Sequence, residues 1–311
     1  MVSILNKAKP GSPSGARPPA AVELAPEWVL AAALHASGEP RHGGQAPVYA
    51  CEPLPAGALI PGIGEPNLRA PEAVANAIRA ALGQTSPRSR AVTLVLPDTA
   101  VRVFVLDFDS LPAKADEANS VMRFRLRKMV PFDVEHASLS YQVLLETKTE
   151  CKVLAAVIPG LILQEYEAAV RAAGYEPGAV LPSSLAALAG IDSMEAVLAA
   201  NLCGPALTTA IANGQDLLLY RTLDLPEEPG QRLEEVRRGI AVAAAFYEDK
   251  LQARPSRLHY AGDGGAVEFA RWIDDPELAV VELAPHPQTG AATVLGNLSI
   301  AGVTGALAGA G

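Results

Sequence analysis

The chain has 311 residues, half of them hydrophobic, and a formal net charge of −9. That length holds about two domains of ~150 residues, each able to bury a core. The acidic balance repels phosphate backbones and argues against nucleic-acid binding, and three scattered cysteines (Cys51, Cys151, Cys203) in no CxxC pair point to a reducing compartment rather than a disulfide frame or zinc site.

Residues 1–19 carry Lys7, Lys9 and Arg17 among Gly, Ser and Pro, with no apolar segment behind them. They read as a disordered tail, not a signal peptide, and a cytosolic chain is expected. Residues 20–34 read as two short strands broken at Pro26. Pro71 to Leu82 has a helical pattern, with Pro71 in the first turn and Gly83 as the stop. Arg90 to Leu96 and Val101 to Phe108 read as strands, the second alternating at period two. A helix is expected from about Ala113 to Met129, ended by Pro131. Leu139 to Thr147 and Cys151 to Ile158 follow as an antiparallel pair, so residues 90–158 form a β-β-α-β-β module. Leu161 to Ala173 reads as a helix closed by Gly174, and Ser183 or Ser184 as the cap of the next one.

From Ala196 the pattern starts again. Short strands flank Gly204-Pro205, Asn213-Gly214 marks a hairpin, and Arg232 to Leu251 is a long amphipathic helix. A strand from Ser256 to Ala261 ends in Gly262-Asp263-Gly264-Gly265 and leads into a further helix. Ala291 to Gly311 is uncharged but rich in Gly and Ala, and a packed terminal helix is expected there rather than a membrane span. Two similar α/β halves imply an internal duplication.

Arg123-Phe124-Arg125-Leu126-Arg127-Lys128-Met129-Val130-Pro131-Phe132, followed by Ser138 to Leu144, resembles the helix, Pro-Phe turn and strand of the type IV pilus assembly protein PilM family, actin-like relatives of the cell-division protein FtsA. Leu96-Pro97-Asp98, Ala173 to Pro177, Ser184-Leu185-Ala186, the Asn213-Gly214 hairpin and Tyr247 to Lys250 are similar to further family marks in the same order. The resemblance implies a duplicated, ribonuclease H-like actin fold with an inserted β-rich SHS2-type module. The divisions expected from it are a tail at 1–19, a first lobe at 20–89 and 159–194, the module at 90–158, and a second lobe at 195–311. It further implies a cytoplasmic place at the inner membrane, a part in pilus-driven twitching motility, capture of the N-terminal peptide of a PilN-like membrane protein beside the module, and self-association into a ring or filament. Some members bind ATP.

The family's two phosphate turns are degraded here. In the first, Glu23 takes the aspartate place, Pro26 removes a backbone N–H, and Leu30 replaces a lysine. In the second, Leu202-Cys203-Gly204 replaces Asp-Ile-Gly, and Asn201 reaches the site only if the strand slips by one residue. A non-catalytic scaffold is therefore expected, without a cofactor. Any vestigial ATP or magnesium contact would fall on Gly262, Asp263, Gly264, Gly265, Gly204 and Thr208. The alternatives are an ATP-binding switch or slow ATPase, and an actin-like polymer with no pilus role. No GxSxG, P-loop, GxGxxG or HExxH motif is present. Partner contacts are expected at the strand bearing Val101, Val103 and Val105, which could pair with an extended peptide, and at Arg123 and Arg127 of the basic helix, which could meet an acidic partner or anionic lipid.

Overall fold

A computed structural model describes residues 17–36, 45–191, 193, 195–214, 216–262, 264–284 and 298–308. In chain order the first half runs β1 (Ala20–Leu24), β2 (Trp28–Ala36), β3 (Gln45–Pro53), α1 (Pro71–Thr85) and β4 (Ala91–Leu96). It continues through β5 (Arg102–Phe108), α2 (Ala115–Leu126), β6 (Ala137–Glu146) and β7 (Cys151–Pro159) to α3 (Gly160–Ala172), β8 (Glu176–Pro182) and α4 (Ser183–Ala189). The second half runs β9 (Ala196–Cys203), β10 (Ala206–Asn213), β11 (Asp216–Asp224), α5 (Pro229–Leu251), β12 (Arg257–Gly262), α6 (Gly265–Ile273), β13 (Ala279–Glu282) and α7 (Ala301–Leu307).

The two main sheets are copies of one plan. One is ordered β3-β2-β1-β4-β8 and the other β11-β10-β9-β12-β13. In each, the first three strands of the half are antiparallel and the last two join in parallel. Loop geometry repeats too: Leu24 stands opposite Val29, and Leu202 opposite Leu207, so the two opening hairpins have equal loops. The duplication read from the sequence is therefore present strand for strand, and the fold is actin-like α/β.

The insertion lies between β4 and α3. Its sheet is ordered β5-β7-β6, all antiparallel. Phe104 and Leu106 of β5 point into a small core with Met122 and Leu126 of α2 and Val153 and Val157 of β7. The expected β-β-α-β-β module is one strand shorter. Ala91–Leu96 is hydrogen-bonded between β1 and β8 in the first sheet and does not belong to the insertion. Its run of Val and Leu fits either place, because a central parallel strand is apolar on both faces.

Helices follow their sequence signals with local changes. Pro71 opens α1 as expected, but the helix passes Gly83 and stops at Thr85, where Ser86 takes the left-handed turn with φ 47°. Apolar positions of α1 and α3 cover one face of the first sheet around Val22, Leu94 and Tyr166. On the other face, Leu30, Leu181 and Leu185 of the first lobe and Val303 of α7 join Ala210, Leu217 and Tyr220 of the second lobe in one apolar cluster. The lobes thus share a core. The expected terminal helix appears as α7, packed on α4 and β1; residues 285–297 lie outside the described set. Residues 1–16 of the expected tail also lie outside it, but Arg17 is buried and its guanidinium donates to the Gly305 carbonyl at 3.4 Å. Pro19 accepts from Leu34 N–H at 2.8 Å. Among the described residues no helix is long and apolar enough to cross a membrane.

Small residues allow α4 and α7 to approach. A Cβ on Gly305 would overlap the Ala186 carbonyl oxygen, and one on Gly190 would lie 3.2 Å from the Gly305 Cα. Gly305→Ala should therefore destabilise the protein by about 3 kcal/mol, because backbone rather than a flexible side chain must give way. Urea denaturation measures it; a loss under about 0.5 kcal/mol would contradict this packing.

Candidate functional site

The two degraded turns face each other across the interlobe cleft, and they touch. Gly204 has φ 52°, the left-handed region, and a Cβ there would meet the Pro26 ring at 3.6 Å. Arg232 of α5 donates to the Gly204 carbonyl at 2.5 Å and fixes the second turn from behind. Leu30, in the lysine place, is fully buried. Glu23 is buried as well; its carboxylate accepts from the Ser183 hydroxyl at 2.5 Å, and Gly302 of α7 sits so close that any Cβ there would strike it. The space left between Glu23, Trp28, Ser183, Asn201, Gly262 and Ser299 is about 10 Å³, room for barely one water.

The centre of the cleft belongs to Asp98. It follows β4 on a single 3-10 turn, Asp98–Ala100, and is fully buried. Oδ1 accepts from the Ser184 N–H at 3.1 Å and from the Tyr220 hydroxyl at 3.5 Å. Oδ2 accepts a short bond from the Ser184 hydroxyl, one from Thr208 at 3.2 Å, and one from the Asn201 amide at 3.5 Å. Asn201 also donates to the hydroxyls of Ser183 and Ser184 at 3.2 and 3.0 Å. Burial pushes the Asp98 carboxyl above the usual aspartate range, against the opposing pull of its Ser184, Thr208 and Tyr220 hydrogen bonds. Tyr220 is pushed well up by burial and by that neighbouring carboxylate.

Two sequence expectations change here. Ser183 and Ser184 do not cap α4; their hydroxyls go to Glu23 and Asp98, and the N-cap is Pro182 without a side-chain bond. Asn201 reaches the cleft without any strand slip. It stands opposite Thr208 as Glu23 stands opposite Leu30, and so holds in β9 the place Glu23 holds in β1. Leu202, assigned that place from the sequence, points instead into the second lobe's core with Leu198 and Leu258.

The other expected nucleotide contacts serve the chain itself. Thr208 donates to Asp98 and shares a 2.9 Å bond with Thr222. At Gly262, φ is 146° and a Cβ would overlap the Leu202 carbonyl oxygen of β9, so only glycine lets β12 approach β9 this closely. Gly264 and Gly265 take φ 79° and 77° to open α6, whose Ala266 N–H donates to Glu282 at 2.6 Å. Asp263 lies outside the described residues.

A second hollow lies between the insertion and the first lobe. It encloses about 350 Å³ and is mostly apolar. Ala137 to Ser140 of β6 form one wall, Pro177 to Val180 of β8 the other, and Leu163 and Glu167 of α3 the floor. Both walls are edge strands: β6 pairs only with β7 and β8 only with β4 among the described residues. Glu167 is buried and held by Arg171 at 2.9 Å.

Of the expected partner residues, Val101 and Arg123 line this groove. Arg123 donates to the Val134 carbonyl, and to that of Ala137 at 3.2 Å, and so fixes the start of β6. Val103 and Val105 do not reach it. They pack against the interlobe cluster, and β5 lies against β11 of the second lobe, with Arg102 paired to Asp224 at 3.2 Å. β5 is the other edge of the insertion's sheet among the described residues, but it lies beside the second lobe and not along this groove. Arg127 is exposed and paired to Glu135 at 2.6 Å. The β6 and β8 edges were missed by sequence reasoning; the signal available was the small and polar run Ser138-Leu139-Ser140 and the Pro177-Gly178 pair, which fit unpaired edges.

No protein-family model and no curated protein sequence matches this chain. Among solved structures it is similar to a chain of a "PilM-PilN type IV pilus biogenesis complex", with TM-score 0.69 and 18% identity over 94% of this chain and 98% of that one. It is also similar to the cytoplasmic domain of EpsL, an inner-membrane component of the type II secretion system of Vibrio cholerae, with TM-score 0.47 and 16% identity over 89% of this chain and 92% of that one. A Bacteroides thetaiotaomicron protein with an actin-like ATPase fold gives TM-score 0.49 at 9% identity, over 84% of this chain and 90% of that one.

Asp98→Ala strands several buried donors at once and should cost about 2–4 kcal/mol of stability, with Asp98→Asn costing less because shape and half the acceptors remain. Folding raises this carboxyl's pKa, so its contribution is complete below the ordinary aspartate range and is lost as pH rises through the raised value in the fold. Denaturation across pH should show that loss in the wild type and its absence in Asp98→Asn. Parallel pH profiles for the two would contradict the assignment.

Proposed function

We propose that this chain is a non-catalytic scaffold of type IV pilus assembly, seated on the cytoplasmic side of the inner membrane, and that it holds the N-terminal cytoplasmic segment of a PilN-like membrane protein in the groove between β6 and β8. The observation that carries the reading is the contrast, among the described residues, between a tight interlobe hollow and an open groove. The interlobe hollow beside Glu23, Asn201 and Gly262 has about 10 Å³ to offer, the groove about 350 Å³. The fold likeness to a chain of the PilM–PilN complex supports the choice of partner.

The chemistry of the groove suits an extended apolar segment. Free N–H and C=O groups along β6 and β8 can pair with a peptide backbone, while alternate side chains enter the space above Leu139, Leu163 and Val180. A tethered segment of this kind orders on binding and is held by a few buried anchors. The module between β4 and α3 then acts as one jaw and the first lobe as the other. Self-association of such scaffolds into a ring or short filament would multiply weak peptide contacts across one assembly.

The second reading, an ATP-driven switch, predicts a different result in the same instrument. Calorimetry should give a saturable signal with a peptide spanning the partner's cytoplasmic N-terminus and none with Mg-ATP. Ser138 is exposed at the groove wall, so Ser138→Trp should fill the groove and weaken the peptide by at least about tenfold, some 1.4 kcal/mol, with the melting temperature unchanged. Unaltered peptide affinity in Ser138→Trp, or micromolar ATP binding to the wild type, would overturn the reading.

A further inference from the structure

Asp98 stands where the two lobes meet, and its donors come from both. Ser184 lies on α4 of the first lobe; Asn201, Thr208 and Tyr220 lie on three neighbouring strands, β9, β10 and β11, of the second. The donor set is one backbone N–H, three hydroxyls and one amide, the groups by which proteins grip anions through neutral dipoles. All of them are neutral, and Asp98 accepts no ion pair. The remaining titratable groups around it are Glu23, joined through Ser183 and Asn201, and Tyr220 itself. Arg102, whose guanidinium donates to the carbonyls of Thr99 and Val101, turns its charge to Asp224 instead.

We propose that the Asp98 carboxyl is a built-in hydrogen-bonding group that substitutes for a bound ligand and pins the two lobes in one fixed arrangement. A two-lobed protein that grips a ligand's anion closes when the ligand arrives and opens when it leaves. Here the gripped group is a side chain on the turn after β4, so it never leaves. The contact of Pro26 with Gly204 and the Arg102–Asp224 pair at the rim hold the same closed state. One consequence reaches the groove: β4 carries the pin and pairs with β8, the groove's wall, so the wall keeps its shape without any nucleotide. The pin stands independently of which peptide the groove accepts.

Hydrogen exchange on the full chain tests it. In Asp98→Ala, amides of α4, β9 and β10 should exchange roughly tenfold faster or more, while those of β7 and α2 in the insertion keep wild-type rates. Asp98→Asn should stay near the wild type. Thr208→Val with Tyr220→Phe removes donors from the second lobe only, leaves Asp98 in place, and should reproduce the local acceleration; it also carries the test if Asp98→Ala fails to fold. Acceleration spread evenly over all elements, the insertion included, would reduce Asp98 to an ordinary stabilising residue and overturn the proposal. Wild-type rates at α4, β9 and β10 in the Thr208/Tyr220 variant would overturn it equally.

Discussion

A buried carboxyl with no cation beside it among the described residues must be satisfied by oriented dipoles or it will not stay buried. Asp98 meets that demand with five donors drawn from both lobes, and much else follows from the need to bring them together. Ser183 and Ser184 must lie at the start of α4, Asn201 must face Thr208 across a hairpin, and β4 must end where the second sheet begins. Losing any of these strands a polar group in a dry interior. The lobes are therefore joined by chemistry that is specific in direction, over an apolar cluster that is not.

That joint explains why the hairpin turns are free to be what they are. Pro26 lacks an N–H and Leu30 lacks a charge, changes that would ruin a phosphate cradle. In this chain they suit a turn that packs against Gly204 and a strand buried on its far side. Gly302 and Gly305 make a similar point on α7, where small residues let the helix lie on Glu23 and on α4. The insertion is held the same way: β5 rests on β11 through Arg102 and Asp224, and β7 runs straight into α3. Its other edge strand, β6, is left beside β8, with an open groove between them.

Much of this was legible in the residues. The order of elements, the duplication and the Asn213-Gly214 hairpin could be read from local patterns, because hairpins and helix starts are local facts. The resemblance to the PilM family gave the fold as well. What failed was long-range. Ser183 and Ser184 look like caps from their neighbours, yet their partners lie 160 and 86 residues away. Ala91–Leu96 looks like half of a hairpin, yet it is a central parallel strand. Val103 and Val105 do lie on an edge strand, but their side chains turn to the interlobe cluster rather than to the groove, which local alternation cannot tell. Asn201 was misplaced by one residue because the register of the hairpin, not the motif, decides which side chain faces the cleft.

One measurement bears on the whole account: a crystal structure of the chain grown with saturating partner peptide and saturating Mg-ATP together. The account predicts an extended peptide along Ala137 to Ser140 and Pro177 to Val180, with Asp98 still bonded to Ser184, Thr208 and Tyr220 and no nucleotide between the lobes. A triphosphate lodged between Pro26 and Gly204, with Asp98 displaced, would contradict it.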